Sequence, residues 1–245
     1  MDTQRRIALV TGATRGIGFE TVRQLARAGV HTLLAGRDGG RAGQAAATLR
    51  AQDLPVDPVV LDVTDPATIA AAAAEVGRRH GRLDILVNNA GIFIDDLEKG
   101  TTGQPLDTWR ATFATNLFGM VETTQAFLPL LLKSPAGRIV NVSSELGSLS
   151  RHLDPASPIH GFTASPSYNV SKSAVNAWTV QLALALRDTA IKVNAADPGY
   201  VRTDMNAGEG ELPVEEGART SAWLAMIGDD GPTGGYFHFD EALPW

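Results

Sequence analysis

The chain has no cysteine among its 245 residues. That absence removes disulfide scaffolds, thiolate metal sites, iron–sulfur clusters and cysteine nucleophiles, and it leaves the redox compartment unreadable. No block of basic residues offsets the formal net charge of -6, so nucleic acid is not expected as the main partner, because binding to a phosphate backbone relies on clustered Lys and Arg. Long apolar runs are missing too. Phe127 to Leu132 and Ala70 to Ala74 fall far short of the ~20 apolar residues of a membrane span. The apolar run ending at Val10 is cut by Thr11 and Gly12 before it could form a signal-peptide core. Both features point to a cytoplasmic protein with no membrane partner. His152 and His160 sit in a proline-rich stretch without ligand spacing, so no metal is expected.

What is present is an ordinary globular composition, 44% hydrophobic and 20% charged. A chain of this length can bury about 70% of the surface it exposes when unfolded. Short apolar runs alternate with helical periodicity along its whole length. Strands are predicted at Ile7 to Val10, Val30 to Ala35, Val59 to Val63, Leu83 to Asn88, Arg138 to Ser143, Ile191 to Ala196 and Gly235 to Asp240. Between them lie helical patterns at Gly18 to Ala28, Arg41 to Ala51, Pro66 to Arg79, Asp107 to Leu132, Ser167 to Asp188 and Glu215 to Ile227. Asp65 before Pro66 is a strong start signal, an N-cap acceptor followed by proline at the first helical position. Unbroken alternation without a linker predicts one doubly wound α/β domain over residues 1–245, with a parallel sheet and helices on both faces. Two stretches break the rhythm, residues 145–167 and 203–214. Both follow carboxyl ends of strands, where such sheets bind ligands.

Between the first strand and the first helix stands Thr11-Gly12-Ala13-Thr14-Arg15-Gly16-Ile17-Gly18. Gly12 permits a tight turn, Gly16 lets the backbone approach a pyrophosphate, and Gly18 allows close packing of the helix whose N-terminus would face the phosphates. The spacing differs from the general G-x-G-x-x-G dinucleotide fingerprint. A glycine turn alone is weak evidence, but its position after the first strand strengthens it.

This segment, together with Asn88-Asn89-Ala90-Gly91, Asn116, Ser144, Tyr168-Asn169-Val170-Ser171-Lys172 and Pro198-Gly199, resembles the short-chain dehydrogenase/reductase family. The motifs fall in the family's order and span nearly the whole chain. The resemblance implies a single Rossmann-type domain with a seven-stranded parallel sheet, a nicotinamide dinucleotide cofactor, and a catalytic Ser-Tyr-Lys group with an Asn. It further implies that Lys172 holds the nicotinamide ribose, that Ser144 hydrogen-bonds the substrate oxygen, and that Asn116 positions a proton-relay water.

Residue chemistry supports part of this independently. Tyr168 and Lys172 are four apart near the start of a predicted helix and so project from one face, about 6 Å apart along the axis. A phenol near pKa ~10 is a poor base at neutral pH, and a neighbouring ammonium would favour the phenolate. Between the two serines, Ser144 has Gly147 three residues on, as in the family pattern, whereas Ser143 would point to the opposite side of an extended strand; Ser143 remains the alternative. Asn116 lies mid-helix, where Asn is intrinsically unfavourable, which suggests a functional role.

Cofactor preference rests on the end of the second strand, Ala35-Gly36-Arg37-Asp38. A carboxylate there would accept ribose hydroxyls of NAD, while a guanidinium would pair with the 2'-phosphate of NADP. Gly36 occupies the family's usual acidic place, and Arg15, Arg37 and Arg41 could converge on one phosphate, so NADPH is expected over NADH. Asp38 is the contrary residue, unless it pairs with an arginine or starts the next helix. By the resemblance, Gly12, Thr14, Arg15, Gly16, Ile17, Gly18, Arg37, Arg41, Asp62, Val63, Asn89, Ala90, Gly91, Pro198, Gly199, Val201 and Thr203, with Tyr168 and Lys172, bind the cofactor.

The 24 positions from Ser144 to Tyr168 exceed the family's usual separation and resemble the insertion of its carbonyl reductases. The implied activity is NADPH-dependent reduction of a ketone or aldehyde to an alcohol, with Tyr168 as general acid. The implied assembly is a monomer or homodimer. Two other readings stand beside it: oxidation of an alcohol as the main direction, and a catalytically silent nucleotide-binding regulator on the same scaffold.

Overall fold

The computed structural model describes residues 5–245; the first four, on which part of the reading of the N-terminus rests, lie outside the described residues. Its strands are β1 (Ile7–Val10), β2 (His31–Gly36), β3 (Val56–Val60), β4 (Ile85–Asn88), β5 (Arg138–Val142), β6 (Lys192–Asp197), β7 (Tyr236–His238) and β8 (Glu241–Ala242). They form one sheet in the order β3-β2-β1-β4-β5-β6-β7-β8. The first seven are parallel, as expected of a Rossmann-type fold. The sheet departs from the expected seven strands by β8, which turns back antiparallel on β7.

The connecting helices are α1 (Gly16–Arg27), α2 (Gly39–Arg50), α3 (Pro66–His80), α4 (Gly100–Gly103), α5 (Leu106–Phe113), α6 (Gly119–Leu131), α7 (Leu149–Leu153), α8 (Pro166–Ala185), α9 (Val214–Gly217) and α10 (Arg219–Met226). Among the described residues no helix is long and apolar enough to cross a membrane. Alternate strand residues feed two cores. Ala8, Val10, Leu34, Val87 and Val140 meet Val22, Leu25, Ala42 and Leu224 on one face. Leu9, Leu33, Leu86, Ile139 and Val193 meet Ile69, Phe127 and Leu182 on the other. Each fully buried Leu contributes on the order of 2 kcal/mol, so the strands read as continuous apolar runs because both faces are covered.

Three elements differ from the sequence expectation for local reasons. β3 starts at Val56 and carries Pro58 in its middle, which is possible because β3 is the sheet's edge. The long helix expected at residues 107–132 is interrupted by a π-helical turn, Ala114–Phe118, between α5 and α6. The helix expected at residues 215–227 is broken at Ala218 into α9 and α10. Helix starts follow the sequence: the Asp65 side chain accepts from Ala67 N–H, and Asp38 accepts from Arg41 N–H.

The chain runs outward to β2 and β3 on one side of β1 and to β4, β5 and β6 on the other. That reversal opens a crevice at the carboxyl ends of β1 and β4, the place where ligands bind in open α/β sheets.

Candidate active site

A cleft of about 790 Å³ occupies this crevice. Every residue predicted to bind the cofactor lines it except Gly199 and Val201. Val201 turns inward, buried and bridged to Leu212, and a Cβ on Gly199 would lie 2.8 Å from both His238 and Leu212; both shape the wall from behind.

The floor is built for close approach. Gly12 and Gly16 have φ of 62 and 56, a left-handed region that side chains other than glycine rarely adopt. A Cβ on Gly12 would come within 2.8 Å of Ala90 Cα, and one on Gly18 within 2.4 Å of Asn89 Nδ2. Asn89 Nδ2 donates to Thr11 O at 2.9 Å, while Thr11 Oγ1 accepts from the N–H groups of Asn89 and Ala90, both at 3.0 Å. The glycine loop and the exit of β4 are therefore one unit. α1 has no acidic residue in its first turn, so its N–H groups and positive dipole end face the cleft uncompensated, as an anion site requires.

At the far end the structure brings Arg15, Arg37 and Arg41 to the same cleft. A side chain at position 36 would meet Thr14 Cγ2 at 2.5 Å, so the fold has no room for a carboxylate there. Asp38 is occupied as the cap of α2 and sits 3.8 Å from Arg41 Nε. Arg15 reaches across to Asp204 at 2.7 Å. Asp62 folds onto Thr64, accepting from its N–H at 2.9 Å and its hydroxyl at 2.8 Å, and with Val63 lies just beyond β3.

At the near end, α8 places Tyr168 and Lys172 on one face, with Lys172 Nζ 5.5 Å from the Tyr168 ring centroid. Lys172 is buried, and Nζ donates to Val142 O at 2.8 Å. The two serines separate, and the lining of the cleft includes Ser143 and not Ser144. Ser143 Oγ is buried and donates to Asn176 Oδ1 at 2.6 Å. Ser144 is half-buried, accepts from Leu146 N–H at 3.2 Å, and acts on the Tyr168 phenol. Gly147 lets the Ser144 loop lie on α8, since a Cβ there would meet Lys172 backbone carbon at 2.7 Å. Asn116 is fully buried in the π-helical turn. Its Oδ1 accepts from Ile92 N–H at 2.8 Å, and its Nδ2 donates to Ile92 O and Ser171 Oγ, each at 3.0 Å. Both Nδ2 hydrogens and one lone pair of Oδ1 are thus taken up in holding Ile92 and Ser171.

Burial dominates the proton equilibria. It pushes the Tyr168 phenol up to about 12, with Ser144 opposing it and the Asp197 charge adding to it. It pulls the Lys172 ammonium down to about 8, with Asp197 opposing. The phenol thus moves away from neutrality, because desolvation disfavours the phenolate. At neutral pH the phenol holds its proton.

Two carboxylates at the site carry no signal in the local sequence. Asp95, buried in the loop after β4, accepts from Ser167 N–H at 2.9 Å, Ser167 Oγ at 2.8 Å and Tyr168 N–H at 3.1 Å. It caps α8 from 73 residues away, a distance no capping pattern reads. Asp197, at the end of β6, lies close enough to Tyr168 and Lys172 to shift both. Phe93 supports the Tyr168 ring edge-on, with centroids 5.1 Å apart.

A dinucleotide fits these features: glycines where a Cβ would intrude, an open helix N-terminus for its phosphates, and a buried Lys beside Gly91, whose Cβ position is 3.7 Å from Lys172 Nζ. Among the described residues no cluster of side chains could hold a metal.

The (+)-neomenthol dehydrogenase of Arabidopsis thaliana is 36% identical to this chain, over 95% of each. The NADPH-bound carbonyl reductase from chicken fatty liver superposes with a TM-score of 0.86 at 30% identity, over 99% of this chain and 100% of that one. Salutaridine reductase of Papaver somniferum superposes with a TM-score of 0.82 at 30% identity, over 95% of this chain and 99% of that one. The short chain dehydrogenase family model matches residues 6–212, most of the chain. Sequence, fold and site agree, and the chain belongs to the short chain dehydrogenase family.

Proposed function

We propose that this chain is an NADPH-dependent reductase of ketones or aldehydes, with Tyr168 as the proton donor. The observation that carries the reading is a half-buried phenol, desolvated enough to keep its proton at neutral pH, set beside Lys172 at one end of a cleft whose other end gathers Arg15, Arg37 and Arg41. Reduction of a carbonyl needs a proton on the developing alkoxide, and a phenol held protonated is ready to give one. The dinucleotide, when bound, supplies the hydride. Ser144 orients the carbonyl oxygen toward Tyr168, Lys172 holds the ribose side of the cofactor and favours loss of the phenolic proton, and Asn116 keeps the exit of β4 against α8. Guanidiniums in place of a carboxylate after β2 support the 2'-phosphate of NADPH.

Residues 145–167 and 203–214 follow the carboxyl ends of β5 and β6, and with the exposed Met205 lining the cleft we read the substrate as an apolar carbonyl compound. Relatives named as a (+)-neomenthol dehydrogenase and a salutaridine reductase support chemistry between an alcohol and a carbonyl. We read the assembly as a monomer or homodimer, which light scattering tests; a stable tetramer refutes it. The activity is tested by following NADPH oxidation over a panel of ketones and aldehydes. Turnover that is abolished in Tyr168→Phe while NADPH still binds supports the reading. Turnover retained in that variant, or equal efficiency with NADH, overturns the proton donor or the cofactor preference respectively.

A further inference from the structure

Asp197 is buried, with only 4% of its surface exposed, and stands where three strands end. Its Oδ1 accepts from Glu145 N–H at 3.1 Å, the residue after Ser144, and from Gly199 N–H at 3.2 Å. Its Oδ2 lies 3.5 Å from His238 Nδ1 on β7, the residue paired with it across the sheet. We propose that Asp197 is a positioning residue that ties the Ser144 loop to the Pro198-Gly199 turn and presents a buried negative charge to Lys172 and Tyr168. The proposal rests on the reductase reading for what those two residues do, and on geometry alone for the tie.

One carboxylate oxygen serving two backbone donors fixes the distance between the loop that orients the carbonyl and the turn that walls the cofactor. An apolar side chain would leave both N–H groups without this partner. Burial raises the carboxyl's pKa, while the Gly199 and Glu145 N–H groups and His238 work to keep it ionised. The groups facing it are His238 and Tyr236 from β7, Glu145 from the segment after β5, and Tyr168 and Lys172 from α8. Glu145 is itself held by Arg151 at 2.7 Å, which leaves Asp197 as the carboxylate that reaches Tyr168 and Lys172. A negative charge there stabilises the ammonium of Lys172 and opposes the phenolate of Tyr168.

The test compares Asp197→Asn with the wild-type chain. Asn keeps an oxygen for both N–H donors and removes the charge, so a residue that only ties loops together leaves every proton equilibrium unmoved. With carbon-13 at lysine Cε, the chain's four lysines, Lys99, Lys133, Lys172 and Lys192, are resolved by NMR without cofactor or substrate, and Lys172 is assigned by its loss in Lys172→Arg. In Asp197→Asn the Lys172 titration moves down by about one pH unit, and the alkaline limb of kcat/KM for carbonyl reduction follows it. A Lys172 titration that superimposes on the wild type overturns the proposal whether or not turnover is found. Absence of turnover in the wild type overturns only the reductase reading. Asp197→Ser, which removes the same charge and also loses reach to the two N–H groups, carries the same lysine shift and serves if Asn does not fold. It also lowers kcat by about tenfold with KM for NADPH little changed; an unchanged kcat overturns the tie.

Discussion

The two ends of the sheet handle buried charge in opposite ways. At the amino ends of the strands, Arg138 is 2% exposed, yet its guanidinium donates to Ile227 O at 2.9 Å, Gly137 O at 2.8 Å and Asp229 Oδ1 at 2.9 Å. Asp84 beside it accepts from Ile7 N–H at 2.8 Å, Ser134 Oγ at 2.6 Å and Arg82 Nε at 3.0 Å. At the carboxyl ends, Lys172 is as deeply buried but donates to Val142 O alone among the described residues. Its ammonium is pulled down and the Tyr168 phenol is pushed up. A charge saturated with partners is architecture, while a buried titratable group left partly uncompensated can exchange a proton. Burial by itself does not mark the site; incomplete compensation does.

The strongest way to break the comparison is to remove the proton donor. Tyr168→Phe keeps the ring's contact with Phe93 and deletes only the hydroxyl, so kcat falls by about a thousandfold or more, the range of general acid catalysis, while melting temperature and NADPH affinity stay near wild type. Stopped-flow or steady-state NADPH oxidation checks it. Loss of NADPH binding instead would mean that the phenol serves structure, like the charges at the opposite end.

The converse substitution tests the architectural end. Arg138→Ala leaves Ile227 O, Gly137 O, Ala190 O and Asp229 Oδ1 without this donor and opens a cavity, destabilising the chain by about 3 kcal/mol. Urea unfolding reads that loss. At a temperature where the variant is folded, its kcat should match the wild type, because nothing at the amino ends touches the cleft. A large fall in kcat with unchanged stability would erase the distinction between the ends.

How far the sequence exposes this division follows from chain distance. The alternation, the caps at Asp38 and Asp65, the glycine loop, and Tyr168 with Lys172 were all legible because each rests on neighbours within a few residues. The interruption of the helix at Ala114–Phe118 and the shift of β3 onto Pro58 were not, since a π-turn and an edge position depend on what packs alongside. Spacing shows that a lysine is near Tyr168, and only the fold shows how strongly desolvation works against the phenolate. Asp95 reaches Tyr168 across 73 residues and Asp197 reaches Glu145 across 52, and no local pattern carries those contacts.

A middle-sized effect is expected at the arginine end of the cleft, where charge is exposed. Arg37→Ala lowers the preference for NADPH over NADH by about tenfold, read as the ratio of kcat/KM for the two cofactors. Raising salt weakens the same preference, since exposed charges are screened. An unchanged ratio overturns selection of NADPH by these guanidiniums.

The smallest expected effect falls where the two behaviours meet. Asp95 is buried and saturated, like Asp84 at the opposite end, yet what it holds is the first turn of α8 and, through the Tyr168 N–H, the backbone of the proton donor. Asp95→Asn keeps one acceptor for the Ser167 and Tyr168 N–H groups and weakens a charge-assisted cap, a loss of about 1 kcal/mol in stability. If the cap only stabilises, kcat is unchanged once the variant is folded. If it also sets the phenol's position, kcat falls by about fivefold with KM for the carbonyl nearly constant, because small displacements of a reacting group lower the rate more than binding. The second outcome is expected, since the N–H that Asp95 accepts belongs to Tyr168 itself, so a saturated charge gains a catalytic consequence when the atom it fixes is one bond from the residue that transfers the proton.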